Sequence, residues 1–76
     1  MNSIEAYILD WVSKTTGKTI SPQDDIFFSG GLDSLNFAEL IASIEEQFKI
    51  VFDFSELLDW NSLKTAHGIS SFATKL

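Results

Sequence analysis

The sequence predicts an all-α fold, a four-helix bundle with a long first loop and a short third helix. Apolar residues recur at the spacing of one helical face in two stretches, residues 3 to about 16 and about 34 to 48. Between them, Pro22, three glycines and several Ser, Thr and Asp residues break any helical period. Because 76 residues is the size of one domain, we expect a single domain over residues 1–76.

Composition excludes several classes of protein. The chain is 45% hydrophobic and 13% aromatic, which is inconsistent with disorder. It has no cysteine, no apolar run as long as a membrane span and no secretory signal, so we expect a cytoplasmic protein without disulfides or thiolate metal sites. Its net charge of −6 would repel nucleic acid. We therefore expect a monomer whose partners are proteins with basic docking surfaces, and neither nucleic acid nor membrane.

The first predicted helix covers residues 3 to about 16, with Ser3 as its cap and Gly17 as its stop. Its buried stripe follows the i, i+3, i+4, i+7 spacing and consists of Ile4, Tyr7, Ile8, Trp11 and Val12. The next loop, residues 17 to 32, is long for a small domain and needs anchors. We expect these to be Ile20, Ile26, Phe27 and Phe28, packed beneath the helices.

The second predicted helix, from about 34 to 48, has two different faces. Its core face carries Phe37, Leu40, Ile41, Ile44 and Phe48. The opposite face carries Leu35, Glu39, Ala42 and Glu46, with Glu45 beside them. The glutamates alone would indicate a solvated face. Because Leu35 is a large apolar residue within an acidic face, the pattern favours a partner-docking surface.

The last third of the chain is predicted as a linker and two helices. Residues Ile50 to Phe54 could form a strand, but with no second strand to pair with, an extended linker is favoured. A short third helix follows from Ser55, its cap, to about Trp60, with Leu57, Leu58 and Trp60 packing inward. Asn61 or Ser62 caps a fourth helix from about 63 to 75, in which Gly68 costs about 1 kcal/mol relative to alanine. The buried side of this helix consists of Leu63, Ala66, Ile69, Phe72, Ala73 and Leu76.

The stretch from Gly30 to Leu35 joins the long loop to the second helix. Asp33 can cap that helix, which makes Ser34 its first residue. A phosphate attached to Ser34 would lie where the helix dipole and free N–H groups favour an anion, although an Asp-Ser pair can also be only a cap. Other chemistry lacks support: His67 is the only histidine, and the serine is not in a Gly-x-Ser-x-Gly elbow.

Asp-Ser-Leu opening an acidic helix in a short, acidic, all-helical chain resembles the acyl and peptidyl carrier proteins, most clearly from Phe27 to Ile50. The resemblance implies a freestanding carrier, not an enzyme, with 4′-phosphopantetheine on Ser34 and a thioester-linked cargo. It implies three kinds of partner: a phosphopantetheinyl transferase, a ligase or transferase that loads an acyl or aminoacyl group, and downstream synthase enzymes. The expected docking residues are Asp33, Leu35, Glu39, Ala42, Glu45 and Glu46.

Two departures from the family pattern bear on the pathway. Asn36 stands where many fatty-acid carriers have an acid, and the proline often found between the second and third helices is absent. A specialised biosynthetic pathway is therefore favoured over housekeeping fatty-acid synthesis, and fatty acyl, polyketide and amino-acid cargoes all stay open. The alternative is a small acidic helical adaptor that binds proteins and carries no prosthetic group. Because the region beside the second helix is crowded with aromatic residues, we expect a short or polar cargo held outside the bundle.

Overall fold

The computed structural model describes residues 2–57 and 59–74, and within these residues it is all-helical, as predicted. Three α-helices are present, α1 (Ser3–Thr16), α2 (Ser34–Phe48) and α3 (Ala66–Ala73). The described residues form no strand, and the linker over residues 50–53 is irregular, as expected. The four-helix count is not confirmed for these residues. A 3-10 helix, Phe54–Glu56, lies at the start of the predicted third helix, and a second, Trp60–Lys64, spans its end and the start of the predicted fourth.

The 3-10 helices follow from the aspartates that precede them. Asp53 Oδ1 accepts a hydrogen bond from the Ser55 N–H at 3.0 Å, and Asp59 Oδ1 accepts one from the Asn61 N–H at 2.9 Å. Aspartates that bind the backbone two residues on favour turns over α-helix. Hydrogen bonds from the side chain and then the backbone of Ser55 hold the pKa of Asp53 below its ordinary value. Asp53, and not Ser55, is therefore the cap of this segment.

Two aromatic residues that were expected to pack inward are exposed. The Trp60 side chain is 61% exposed and stacks on Phe54 with ring centroids 5.4 Å apart. Phe28, expected as a loop anchor, is 89% exposed. The Asp25 carboxylate accepts the N–H groups of both Phe27 and Phe28, and this turn directs Phe28 into solvent. Of the other inward predictions in this region, Leu57 is half-buried, and Leu58 lies outside the described residues.

The last α-helix begins later than predicted. Thr65 caps α3 through its Oγ1, which accepts the Gly68 N–H at 2.9 Å, so the predicted start at residue 63 and the predicted caps Asn61 and Ser62 are wrong. The buried side of this segment is confirmed for Leu63, Ala66, Ile69 and Ala73, with Phe72 half-buried. Leu76 lies outside the described residues.

Helix α1 has the predicted bounds but a different cap. Asn2, and not Ser3, caps it in a reciprocal arrangement with Glu5, whose N–H lies 2.8 Å from Asn2 Oδ1. Gly17 ends the helix at φ 78°, the left-handed conformation that was predicted. Of the predicted stripe, Ile8 and Val12 are fully buried, and Ile4, Tyr7 and Trp11 are half-buried.

The core lies between the three α-helices and the anchored parts of the chain between them. Leu40, Ile41 and Ile44 bury the predicted face of α2, and Phe37 and Phe48 are half-buried at its ends. The loop and linker residues that complete the core are Ile20, Ile26, Leu32 and Phe52. Burying such side chains stabilises the fold by roughly 1.5–3 kcal/mol each.

Glu5 is nearly buried, which the apolar stripe did not predict. Its Oε1 accepts the Asn2 N–H at 3.1 Å, and its Oε2 lies 3.2 Å from His67 Nδ1 on α3. Asn2 in turn accepts the Ser70 hydroxyl at 2.7 Å, so four polar side chains join α1 to α3. Ionised Glu5 can accept both of its hydrogen bonds at once, with charge assistance from a protonated His67.

Acid should weaken this junction. The backbone hydrogen bond from Asn2, followed by the hydrogen bond and charge of His67, lowers the pKa of Glu5 below its ordinary 4.5. Because the folded pKa is the lower one, the stabilisation is complete above pH 4.5 and is lost as the pH falls through the folded value. We expect the Tm of the wild type to fall more between pH 6 and pH 3 than that of Glu5→Gln, as measured by circular dichroism. Equal falls would contradict this role for Glu5.

Candidate functional site

A compact turn delivers the chain to the start of α2. The Asp25 carbonyl accepts the N–H groups of Ser29 at 2.9 Å and Gly30 at 3.1 Å. Two further backbone bonds of 3.1 Å follow, from Gly31 to Phe27 and from Leu32 to Ile26. Gly31 has φ 79°, a conformation that glycine adopts without strain. Leu32, only 5% exposed, then fixes the end of the turn in the core.

Asp33 caps α2 as predicted, and Asn36 completes the cap. Asp33 Oδ1 accepts the Asn36 N–H at 2.8 Å, and Asn36 Oδ1 accepts the Asp33 N–H at 3.3 Å. This reciprocal pair is a capping box. The sequence signal for this role is the position of Asn36, three residues after a capping aspartate, and the predictions above do not include it. The residue therefore sets the geometry of the helix start.

Ser34 is the first residue of α2 and is exposed. The cap is formed by Asp33 and Asn36, so it does not use the Ser34 hydroxyl. The free N–H groups and positive dipole end of the helix favour an anion attached at this position. The site therefore fits a phosphate ester on the serine: the hydroxyl is accessible, the backbone around it is fixed, and the local field suits the charge.

The outer face of α2 is exposed over three turns. Leu35 is 67% exposed, and Glu39, Ala42 and Glu46 are exposed along the same ridge. Glu45 differs from the others, because it is half-buried and its Oε2 accepts the Phe52 N–H at 2.8 Å. The structure thus places four of the predicted docking residues on one ridge that runs from the cap at Asp33 to the last turn of α2, whereas the Glu45 carboxylate binds the linker.

A shallow open groove of about 570 Å³ lies on the other side of the turn. It is lined by Asp25, Phe27, Phe28 and Lys64. Phe27 packs against Phe37, one helical turn after Ser34, with ring centroids 5.4 Å apart. The groove therefore adjoins the turn that leads to Ser34. The sequence does not predict it, because an apolar residue such as Phe28 is expected to be buried.

Other kinds of site lack support in the residues that the structure describes. Within residues 2–57 and 59–74, no group of three or more His, Cys, Asp or Glu side chains could hold a metal ion. His67 instead contacts Glu5. None of the helices in the same residues has the length and apolarity needed to cross a membrane.

Comparison with known proteins agrees with this geometry. The family model described as "Phosphopantetheine attachment site" matches residues 6–66, which include the turn, Ser34, all of α2 and the start of α3. Neither the curated proteins nor the solved structures contain a match to this chain.

The match covers most of the chain and so decides between the two classes that the sequence left open. Members of this family carry 4′-phosphopantetheine covalently on a serine, typically as carriers without catalytic activity, and they interact with phosphopantetheinyl transferases and biosynthetic enzymes. An adaptor that carries no prosthetic group does not fit this result. The exposed serine at a capped helix start is consistent with this family. Because the family model matches residues 6–66, the chain belongs to the phosphopantetheine-binding carrier protein family, and 4′-phosphopantetheine is its prosthetic group.

Proposed function

We propose that Ser34 is the attachment site and that the protein presents an acyl or aminoacyl group to partner enzymes of a specialised biosynthetic pathway. The observation that carries this proposal is the position of Ser34, exposed at the first residue of α2, beside a cap that leaves its hydroxyl unused. When bound, the prosthetic group supplies a thiol that holds the cargo as a thioester. The chain itself fixes the position of the arm and offers surfaces for docking.

The test is to incubate the purified protein with coenzyme A and a broad-specificity phosphopantetheinyl transferase, and to measure intact mass. We expect a gain of one phosphopantetheine, which fragmentation then locates on Ser34. A mass that stays unchanged, or a modification on another residue, would overturn the proposal. Retention of the modification after denaturation shows that the link is covalent.

We further propose that partners dock on the outer face of α2. This face combines an exposed apolar side chain, Leu35, next to Ser34, with the exposed carboxylates of Glu39 and Glu46 further along α2. In a chain of net charge −6, such a face suits a partner with a basic surface. Charge complementarity mainly speeds encounter and is weakened by salt.

Charge reversal on this face should slow modification without unfolding the protein. We expect Glu39→Lys and Glu46→Lys each to reduce the rate of phosphopantetheine transfer several-fold at low salt, with the deficit shrinking as salt is added. Leu35→Ala should weaken docking through lost apolar contact. Mass spectrometry over time gives the rates, and thermal melting confirms that the fold is intact.

Asp10→Lys is the matched control for this experiment, because it changes the net charge equally on the exposed surface of α1. Glu45 is unsuitable for charge reversal, since its carboxylate holds the Phe52 N–H and the substitution would disturb the linker. If Glu39→Lys, Glu46→Lys and Leu35→Ala all match the wild type with both the transferase and a loading enzyme, α2 is not the docking face.

The proposed cargo is short or polar and stays outside the bundle. Ile41, Ile44 and Ile69 are 8%, 0% and 0% exposed, so a chain entering the core would have to displace packed side chains. Beside them, Phe52 lies nearly parallel to Phe54 at 5.8 Å and to Phe72 at 6.1 Å. Close-packed interiors leave few voids, so a chain that entered here would have to separate these rings. The rings would then lose their van der Waals contacts.

NMR can test this proposal by comparing the protein loaded with an eight-carbon acyl chain and the unloaded holo form. We expect shift changes confined to residues around Ser34. Large shifts at Ile41, Ile44 and Ile69 would show that the chain enters the core, and the proposal on cargo would be wrong. The attachment at Ser34 would be unaffected by that outcome.

A further inference from the structure

The end of α1 fixes the backbone of Lys18. Gly17 turns the chain at φ 78°, and the Lys18 N–H donates to Thr16 Oγ1 at 3.2 Å. The same hydroxyl donates to the Val12 carbonyl at 3.0 Å, and Val12 is fully buried. The backbone of Lys18 therefore has a defined position, although its side chain is exposed.

The side chain of Lys18 extends over the turn that leads to Ser34. A Cβ atom placed on Gly31 would lie 3.3 Å from Lys18 Cε and 3.4 Å from Cδ, with Thr16 Cβ at 3.9 Å. The absence of a side chain at Gly31 therefore leaves room for the lysine stem. Gly31 precedes Ser34 by three residues, which span at most about 11 Å even when fully extended. The Lys18 stem thus lies against the turn that leads to Ser34, and its ammonium extends from there.

The charge of Lys18 is also unmatched. Within residues 2–57 and 59–74, the ion pairs are Lys14 with Asp10 and His67 with Glu5, so Lys18 has no acidic partner there. Among the described residues Lys49 and Lys64 have no acidic partner either, so the packing of its stem against Gly31 is what distinguishes Lys18. The Lys18 stem is packed against the turn before Ser34, and none of the described ion pairs uses its charge. The ammonium is therefore suited to bind an anion that arrives with the modification of Ser34.

We propose that the Lys18 ammonium binds the phosphate of the arm and acts as a positioning residue for it. The inference rests on the attachment at Ser34 proposed above. The phosphate then has a cation on the Gly31 side, whereas the outer face of α2 presents the carboxylates of Glu39 and Glu46. The root of the arm is consequently drawn away from the acidic face and towards the end of α1. An exposed ion pair of this kind raises the population of the contact about 1.5-fold to fivefold.

The test uses holo protein whose loading on Ser34 has been verified by mass. Phosphorus NMR of wild type and Lys18→Gln should show a change in the phosphate shift, and Lys18→Arg should retain most of the wild-type value. The 15N signal of the Lys18 ammonium should move between the apo and holo forms. Both effects should largely disappear in 1 M salt, where the Debye length is about 3 Å.

Lys14→Gln and Lys49→Gln are the matched controls, since each removes one exposed lysine charge away from the turn before Ser34. A phosphate shift in Lys18→Gln equal to that of the wild type, or no larger than the shifts in the two controls, would overturn the proposal while leaving Ser34 as the attachment site. Failure of the wild type to load on Ser34 would instead overturn both proposals. Circular dichroism of each variant confirms that the fold is unchanged.

Discussion

Ser34→Ala is expected to fold as the wild type does and to take up no phosphopantetheine. The substitution leaves the cap intact, because the hydrogen bonds at the start of α2 are made by Asp33 and Asn36. Alanine is also a good helix former, and the side chain at this position is exposed. Stability should therefore change by less than about 0.5 kcal/mol, as is usual for surface substitutions. The loss of modification, in contrast, should be complete.

Intact mass after incubation with coenzyme A and the transferase measures this loss, and thermal melting measures the stability. Ser29→Ala is the matched control, since Ser29 is an exposed serine of the same turn and should leave modification at the wild-type rate. Uptake of one phosphopantetheine by Ser34→Ala would show that another hydroxyl is the acceptor.

Gly68→Ala is expected to destabilise the protein strongly, against the usual preference for alanine in helices. A Cβ atom on Gly68 would lie 1.7 Å from the Ser62 carbonyl oxygen and 3.1 Å from Thr65 Oγ1. The nearer neighbour is backbone and cannot swing away as a side chain could. The gain of about 1 kcal/mol in helix propensity is therefore outweighed by steric overlap. We expect a net loss of about 3 kcal/mol or more, and a fall in Tm of more than about 10 °C.

Urea denaturation and thermal melting give this difference directly. Gly17→Ala is the informative comparison, because Gly17 has φ 78° but nothing within 4 Å of a Cβ atom. Gly17→Ala should lower the free energy of unfolding by only about 1 kcal/mol, because alanine adopts a positive φ less readily than glycine. If Gly68→Ala proves as stable as the wild type, the close approach of the second 3-10 helix to α3 does not hold in solution.

Periodicity and capping chemistry accounted for much of the fold. The apolar spacing of α1 and α2 gave their bounds, because each helix buries one stripe against the core and its ends carry clear signals, such as Gly17 and Asp33. The same local signals placed Ser34 at the first residue of α2. These features depend on interactions within a few residues, which a sequence displays directly.

The predictions that proved wrong concern two kinds of feature. Some depend on competition between side-chain hydrogen bonds and helix formation, and others depend on contacts between residues distant in the sequence. Asp53 and Asp59 bind nearby N–H groups and replace an α-helix by 3-10 helices, whereas the apolar pattern around them also suits an α-helix. Phe28 is hydrophobic, yet a turn around Asp25 directs it outward. The role of Gly68 depends on a carbonyl six residues away in a separate segment. Burial and steric contact of this kind require the packed structure.

The long loop is joined to the far end of the chain by backbone hydrogen bonds. The Ile26 N–H donates to the Lys64 carbonyl at 2.7 Å, and the His67 N–H donates to the Pro22 carbonyl at 2.9 Å. These bonds connect residues about forty positions apart, so the turn before Ser34 cannot reach its final form until residues 64–67 have been synthesised and have packed. At a synthesis rate of roughly 5–20 residues per second, this interval lasts a few seconds. We therefore expect a nascent or truncated chain that lacks these residues to be a poorer substrate for modification at Ser34, the proposed attachment site.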